Sequence, residues 1–408
     1  MKILCSIFLF CALKSEASAQ NWFSSQSILK HISVLAADSL HGRATGTEYE
    51  RKAADYIVSQ LKANGIRPKG ENNSWFQEFD FQSGIHGTGG DTRKARNVVG
   101  YLNNNRPFTI VIGAHYDHLG DGNDGHSLEK NPEGKIHNGA DDNASGIAGL
   151  IELARYYAGN AERENFNFLF IAFSGEEAGL LGSSWFCGHP TIELKTVSCM
   201  VNMDMIGRLN RDKAVLTVSG TGTCAVFQPL IKSFSSAAIQ IETDSSGLGP
   251  SDHASFYTSG IPALHFFTGS HADYHKPGDD VEKINAPGEE GVLLIIAGLI
   301  AKLPADKKAE FLKTRNPAPI GSSSFKVTLG IMPSYAPSDS GLKAEAVLDG
   351  KPAAKAGMKD GDVIIKLGDF EIKEIQSYMD ALGKFSKGVK TTVTVMRGME
   401  RLVLPIEF

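Results

Sequence analysis

Five separated patches of the chain carry histidines and carboxylates in contexts suited to holding cations. The first is Gly113-Ala114-His115-Tyr116-Asp117-His118. A histidine leaving a strand can coordinate metal through one ring nitrogen, and Asp117, two residues on and on the same side, can accept the other N–H. In the second, Gly139-Ala140-Asp141-Asp142-Asn143 opens a helix through Ala144-Ser145-Gly146, and one of the two aspartates can bridge a pair of cations. The third, Ser174-Gly175-Glu176-Glu177, offers neighbouring carboxylates that point in different directions, so that one ligates while the other stays free. Asn202-Met203-Asp204-Met205-Ile206-Gly207 adds a lone carboxylate, and Asp273-Tyr274-His275 lies in a loop before the last helix of this region.

Taken singly, each patch has an ordinary explanation. An aspartate at a strand end is commonly a helix cap, and adjacent glutamates are commonly solvated surface. Taken together, two histidines and three carboxylates would gather negative charge at a high cost unless it were compensated. Two divalent cations would compensate it. A mixed nitrogen and oxygen donor set suits zinc with open coordination positions, which is catalytic rather than structural metal.

The elements that must position these residues are alternating strands and helices. Residues 27–65 read as helical, with apolar residues at helical spacing over 49–61 and Asn64-Gly65 as the stop. Apolar β-rich runs follow at 97–102, 108–114, 166–173, 197–203, 214–219, 239–242 and 263–267, with helices expected at 144–157, 179–187 and 292–303. Buried strands separated by helices imply an α/β class, a three-layer sandwich with a mostly parallel mixed sheet. Ligand groups in such sheets gather at the C-terminal strand ends, which is where the first, third and fourth patches fall.

The five motifs, in this order, resemble metallopeptidase family twenty-eight, the co-catalytic zinc aminopeptidases and their relatives, which include glutamate carboxypeptidases and glutaminyl cyclases. The resemblance covers residues 27–303 and includes Asp38-Ser39-Leu40-His41-Gly42-Arg43 followed by Gly46. It implies two zinc ions per chain. His115 and Asp204 would complete one site, Glu177 and His275 the other, and Asp141 would bridge both, with a cis peptide bond to Asp142. It also implies Glu176 as general base to a zinc-bridged hydroxide, Tyr274 as a donor to the oxyanion, Asp117 as the group orienting His115, and His253 as a substrate contact. Phe256 is a candidate pocket wall. His118 and His137 flank a polar, glycine-rich loop over 120–138 that reads as a rim outside the metal set. The implied activity is removal of N-terminal residues from peptides. A carboxypeptidase or other amidohydrolase on the same fold stays open, because Arg208 beside Asp204 could face a substrate carboxylate. So does a non-catalytic peptide-binding protein.

Residues 304–323, rich in Lys, Ala, Pro and Ser, read as a linker. Residues 324–408 resemble a bacterial-type PDZ domain, through Thr328-Leu329-Gly330-Ile331-Met332 and the run Ala353-Ala354-Lys355-Ala356-Gly357. The resemblance implies that Leu329, Gly330 and Ile331 receive a chain-terminal carboxylate of a peptide that extends the sheet.

Bulk properties narrow the partners. With 408 residues, 42% hydrophobic and 21% charged, the chain is ordinary globular protein of more than one domain. A net charge of −5 offers no basis for binding nucleic acid. Lys2, the apolar run 3–13 and Ala17-Ser18-Ala19 read as a signal peptide over 1–19, cleaved near Ala19-Gln20, and imply a secreted or periplasmic protein with a catalytic unit over 20–303. No stretch reads as transmembrane. Three cysteines remain after such cleavage. Cys187 and Cys224 could pair, and Cys199 reads as core.

Overall fold

The computed structural model describes residues 22–83, 91–123, 126–160, 163–314, 327–333, 341–347, 350–373 and 375–408. The expected signal segment lies outside the described residues.

Nine strands form the larger sheet: β1 (Arg67–Pro68), β2 (Phe76–Gln82), β3 (Thr92–Leu102), β4 (Thr109–His115), β5 (Asn167–Phe173), β6 (Val197–Met203), β7 (Val215–Ser219), β8 (Gln240–Thr243) and β9 (Ala263–Phe267). Their order is β1-β3-β5-β4-β6-β9-β7-β8, with β2 paired to β3. The pairs β5/β4, β4/β6, β6/β9 and β7/β8 run parallel, while β3 meets β5 and β7 meets β9 antiparallel. The sheet is therefore mixed, with three of its four parallel pairs at the centre, where helices cover both faces.

Those faces explain the unbroken apolar runs. Along β5, Phe168, Phe170 and Ala172 join one core with helices α1 (Ser25–Leu35), α2 (Glu48–Ala63), α3 (Gly146–Gly159) and α7 (Ala286–Lys302). Leu169, Ile171 and Phe173 alternate to the opposite face, against α4 (Leu181–Gly188) and α6 (His253–Thr258). A strand buried on both sides has no polar face to alternate with. The short α5 (Phe227–Lys232) completes the unit. Helix starts follow local chemistry: Thr47 caps α2 by accepting from Glu50 N, and Asn285 caps α7 by accepting from Gly288 N, with Pro287 in the first turn.

The expected linker start is corrected. After α7 the chain stays on the first unit as far as residue 314: Ala309 N donates to Ser198 Oγ (3.1 Å), Leu312 N to Thr223 O (2.8 Å) and Thr314 N to Tyr257 OH (3.0 Å). The rest of the expected linker, up to residue 323, lies outside the described residues. The cysteine pairing is corrected too. Cys187, Cys199 and Cys224 are all free thiols.

The second unit holds β10 (Ile331–Pro333), β11 (Leu342–Val347), β12 (Val363–Leu367), β13 (Phe370–Glu371), β14 (Lys390–Arg397) and β15 (Glu400–Glu407), with α8 (Pro352–Lys355) and α9 (Ile375–Leu382). Its order is β10-β11-β12-β14-β15, so β10 is an edge strand. A separate core forms around Leu329, Leu342, Ile364, Val393 and Val395.

Candidate metal centre

The C-terminal ends of β4, β5 and β6 lie side by side and deliver His115, Glu176-Glu177 and Asp204 to one crevice. Two further segments close it: the turn over Ala140–Ser145 that leads into α3, and the loop carrying His275.

The carboxylate at the middle belongs to Asp142. Its Oδ1 lies 3.4 Å from His115 Nε2, and its Oδ2 lies 3.3 Å from His275 Nε2. Asp204 Oδ1 lies 3.4 Å from the same His115 nitrogen, and Glu177 Oε2 lies 3.2 Å from the same His275 nitrogen. Two donor groups thus share Asp142. Either group could hold an ion: His115, Asp142 and Asp204 converge in one, and His118, Asp142 and Glu177 in the other.

Two expectations change here. Asp141, expected to bridge, points the other way. Its Oδ1 accepts from Gly207 N (2.7 Å) and Ser145 Oγ (3.1 Å), and its Oδ2 faces His271 Nε2 at 3.2 Å. The cause is the local backbone. Asp279 Oδ2 accepts the N–H groups of both Asp141 and Asp142 at 3.0 Å, which clamps the turn and sends successive side chains to opposite sides. The cis peptide bond lies one residue later than expected, between Asp142 and Asn143.

His118 was read as rim, yet it is buried and its Nδ1 lies 2.7 Å from Glu177 Oε1. Its three-residue spacing from His115 was the available signal. The loop behind it also takes part. His275 Nδ1 lies 3.0 Å from the carbonyl of His126, which fixes the ring with Nε2 toward the carboxylates.

Asp117 faces His115 as expected and has a further task. His115 Nδ1 meets the carbonyl of Asp117 at 3.2 Å and its carboxylate at 3.7 Å. The carboxylate also accepts from Glu176 N (3.1 Å), Glu177 N (3.3 Å) and Thr45 Oγ1 (2.9 Å). It holds the turn that presents both glutamates. Glu176 Oε2 stands 4.0 Å from His115 Nε2. Tyr274 is half-buried and stacks on His275, with ring centres 4.0 Å apart.

Three expected substrate contacts are placed elsewhere. Phe256 is fully buried in the core between Phe173 and Phe186. His253 is fully buried and stacks on His265 at 4.6 Å. Arg208 Nη1 is held by Asp273 Oδ2 and His271 Nδ1, each at 2.9 Å.

Electrostatics agree with a cation site. Burial alone would raise the Asp142 carboxyl, but His118, His115 and His275 outweigh it and hold it well below the usual range. Burial would lower the His115 and His275 imidazoles, yet the surrounding carboxylates raise both well above the ordinary value. Protons thus occupy positions that cations would take. Among the described residues, the ion-pair partners of Asp142, Asp204 and Glu177 are all histidines, and Asp204 Oδ1 is buried with no hydrogen-bond partner. This donor set fits zinc. Burial pushes the Glu176 carboxyl well above its ordinary value, aided by Asp204 and opposed by His115.

The model for peptidase family M28 matches residues 97–300, half of the 408-residue chain and the stretch that carries this centre. The chain belongs to peptidase family M28. Its C-terminal unit matches a PDZ domain over residues 328–407. Aminopeptidase YwaD of Bacillus subtilis is 29% identical over 233 residues, covering 54% of this chain and 47% of that protein. Leupeptin-inactivating enzyme 1 of Streptomyces exfoliatus is 26% identical over 257 residues, covering 62% and 50%. The chain thus spans about half the length of these curated relatives. Among solved structures, a Zn-dependent exopeptidase from Parabacteroides distasonis superposes with a TM-score of 0.56 at 17% identity, covering 69% of this chain and 99% of that one. Tannerella forsythia glutaminyl cyclase gives 0.56 at 18%, with the same coverage. These superpositions establish a shared fold. Among the described residues no helix of this M28 member is long and apolar enough to cross a membrane.

Proposed function

We propose that this M28 member is an aminopeptidase that holds two zinc ions and removes N-terminal residues from peptides. The observation that carries the reading is Asp142, whose two oxygens face His115 and His275 separately. His115 and Asp204 would hold one ion, Glu177 and His275 the other, with His118 supporting Glu177. When bound, zinc supplies Lewis acidity and eases the deprotonation of water.

The chain's own residues do the rest. Glu176, kept free of ligation by the turn that Asp117 holds, takes a proton from the attacking water and passes it to the leaving amine. Its buried setting raises its proton affinity, which suits a group that accepts a proton. Tyr274 OH donates to the oxyanion.

The carboxypeptidase reading has less support, because Arg208 is already bound to Asp273 and His271. A non-catalytic role leaves the buried pairing of Glu176 with a full donor set without a purpose. We further propose that the protein acts outside the cytoplasm after cleavage near Ala19-Gln20, and that its PDZ domain captures peptide C-termini. N-terminal sequencing of the mature protein tests the first of these.

The deciding experiment compares aminoacyl chromogenic substrates, free and N-blocked, with and without chelator. Cleavage of only the free forms, lost with chelator and restored by zinc, is the expected result. Cleavage of the blocked forms, or indifference to chelator, would overturn the reading.

A further inference from the structure

The hairpin of β2 and β3 leans over the side of the centre that holds Glu177. There a cleft is lined by Ala44, Thr45, Phe81, Arg93, His118 and Glu177. Phe81 and Arg93 are cross-strand partners, so the apolar ring and the guanidinium come from one rung of the ladder. Thr45 is tied to Asp117, which joins this wall rigidly to the glutamate turn.

The charges along this hairpin are not equivalent. Lys94 pairs with Asp80 at 3.1 Å, and Arg96 pairs with Asp55 at 3.2 Å. Arg93 is exposed and has no ion pair among the described residues. Among the described residues it is also the only Lys or Arg lining the cleft. A cation placed there would repel the α-ammonium of a peptide, so the cleft suits the part of the substrate beyond the scissile bond. An unpaired guanidinium beside an apolar ring fits a short side chain or backbone ending in a carboxylate, which it can bind through two N–H groups at once.

We propose that this cleft takes the first residue on the leaving side and that Arg93 selects for a carboxylate there, borne by the chain terminus of a dipeptide or by an acidic side chain. The proposal rests on the aminopeptidase reading for turnover, but not for binding. Its substrates would be short peptides of the kind left by endopeptidases.

The test uses the full zinc-loaded chain and its Arg93→Glu variant with four peptides: Leu-Ala, Leu-Ala amide, Leu-Glu amide and Leu-Gln amide. The expected result is a kcat/KM ratio of roughly tenfold favouring one acid over its neutral counterpart, reversed in the variant, since one charge-assisted contact is worth about that much. A preference confined to the Leu-Ala pair assigns the chain terminus as ligand, and one confined to the Leu-Glu pair assigns the side chain. Ratios near one, or ratios that survive charge reversal, overturn the proposal. The same ratios are read as Kd on Glu176→Gln and Glu176→Gln/Arg93→Glu chains. If no peptide is hydrolysed but the binding ratios hold and invert, the aminopeptidase reading fails while the cleft assignment stands.

Discussion

Asp279 receives the backbone N–H of Asp142 on a single carboxylate oxygen, at 3.0 Å, and that oxygen also takes the N–H of Asp141. The proposed bridging residue is therefore held by a residue 137 positions away in sequence that itself faces the ion-pair network of His271 and Arg208. Asp279→Asn keeps the size of the side chain but weakens both acceptor contacts. We expect zinc affinity to fall by roughly 10- to 100-fold, the usual scale for groups that orient ligands. Competition with a chromogenic chelator measures it, and unchanged affinity would show that the turn holds its shape without Asp279.

The two neighbouring aspartates should separate cleanly. Asp142→Asn removes the charge shared by both donor groups, so bound zinc should drop below one ion per chain, with activity lost alongside it. Asp141→Asn leaves the donor atoms in place and acts on the contacts to Gly207 and His271. It should keep its zinc and lose stability instead. Elemental analysis after dialysis against buffer without chelator tells the two outcomes apart, and the reverse pattern would restore Asp141 as the bridge.

Glu176→Gln keeps the hydrogen bond from its own N–H to Asp117 and alters only the proton acceptor. Zinc content should stay normal while kcat falls by about 10²- to 10⁴-fold, the range for a general base. Near-normal turnover in this variant would mean that another group accepts the proton.

How far these residues could be read from sequence depends on whether their signal is local. His115, Glu177 and Asp204 follow apolar runs that are buried on both faces, and a buried strand must end in a loop that meets the strand-end crevice. Asp141 against Asp142 was not decidable that way. Both occupy the same motif, and the choice rests on a hydrogen bond to Asp279 across the fold. For His118 the spacing from His115 is the one local signal, and its role is set by Glu177, which is 59 residues on. Phe256 is an aromatic residue one turn into α6, and nothing local distinguishes a pocket wall from core. Strands β1 and β2 leave a weaker mark in the sequence, since β1 is two residues long and β2 alternates buried and exposed residues.

Arg43 is almost completely buried and donates to four backbone carbonyls: Nε to Tyr116 (2.9 Å), Nη1 to Leu35 (2.5 Å) and Asn138 (2.7 Å), and Nη2 to Gly139 (3.0 Å). It ties the β4 exit to the turn carrying Asp142. Burial lowers its guanidinium to about 10, so it stays charged at neutral pH. Arg43→Lys keeps the charge and cannot reproduce the fork. With several carbonyls left unpaired, a loss of about 3 kcal/mol or more is expected, or roughly 6 °C in thermal midpoint. A midpoint within 1 °C of wild type, by differential scanning calorimetry at fixed zinc, would contradict this account.

Glu50 gives a pH-dependent test. It is buried, accepts hydrogen bonds from Gly46 N and Ser174 Oγ, and is pushed up to about 8, chiefly by burial and then by Asp117. In the unfolded chain the carboxyl loses its proton near the ordinary value of 4.5, while the folded chain keeps it up to about 8. Between those values the native state binds the extra proton, so stability falls as pH rises across the window and levels off above it. Glu50→Gln, a permanent stand-in for the protonated acid, should flatten that slope. Urea midpoints taken at about pH 5, 6.5 and 8 measure it. Equal slopes in both proteins would mean that Glu50 is ionised throughout.

In the PDZ domain, Gly330 sits at φ +76°, and a Cβ there would stand 2.1 Å from Lys351 Cβ. Leu329 is buried, and its carbonyl accepts from Ala353 N at 2.8 Å, which pins the loop to α8. β10 follows at the sheet edge, and among the described residues no strand pairs with its outer side, where a peptide strand could add. Only glycine suits that turn without displacing Lys351. Peptides with a free apolar C-terminus should therefore bind the full chain, and amidation should weaken binding by roughly tenfold or more through loss of a charge-assisted contact. Gly330→Val should abolish binding while leaving zinc content unchanged, because the two units have separate cores. Fluorescence anisotropy with labelled peptides measures both effects, and equal affinity for free and amidated forms would rule out carboxylate capture by Leu329, Gly330 and Ile331.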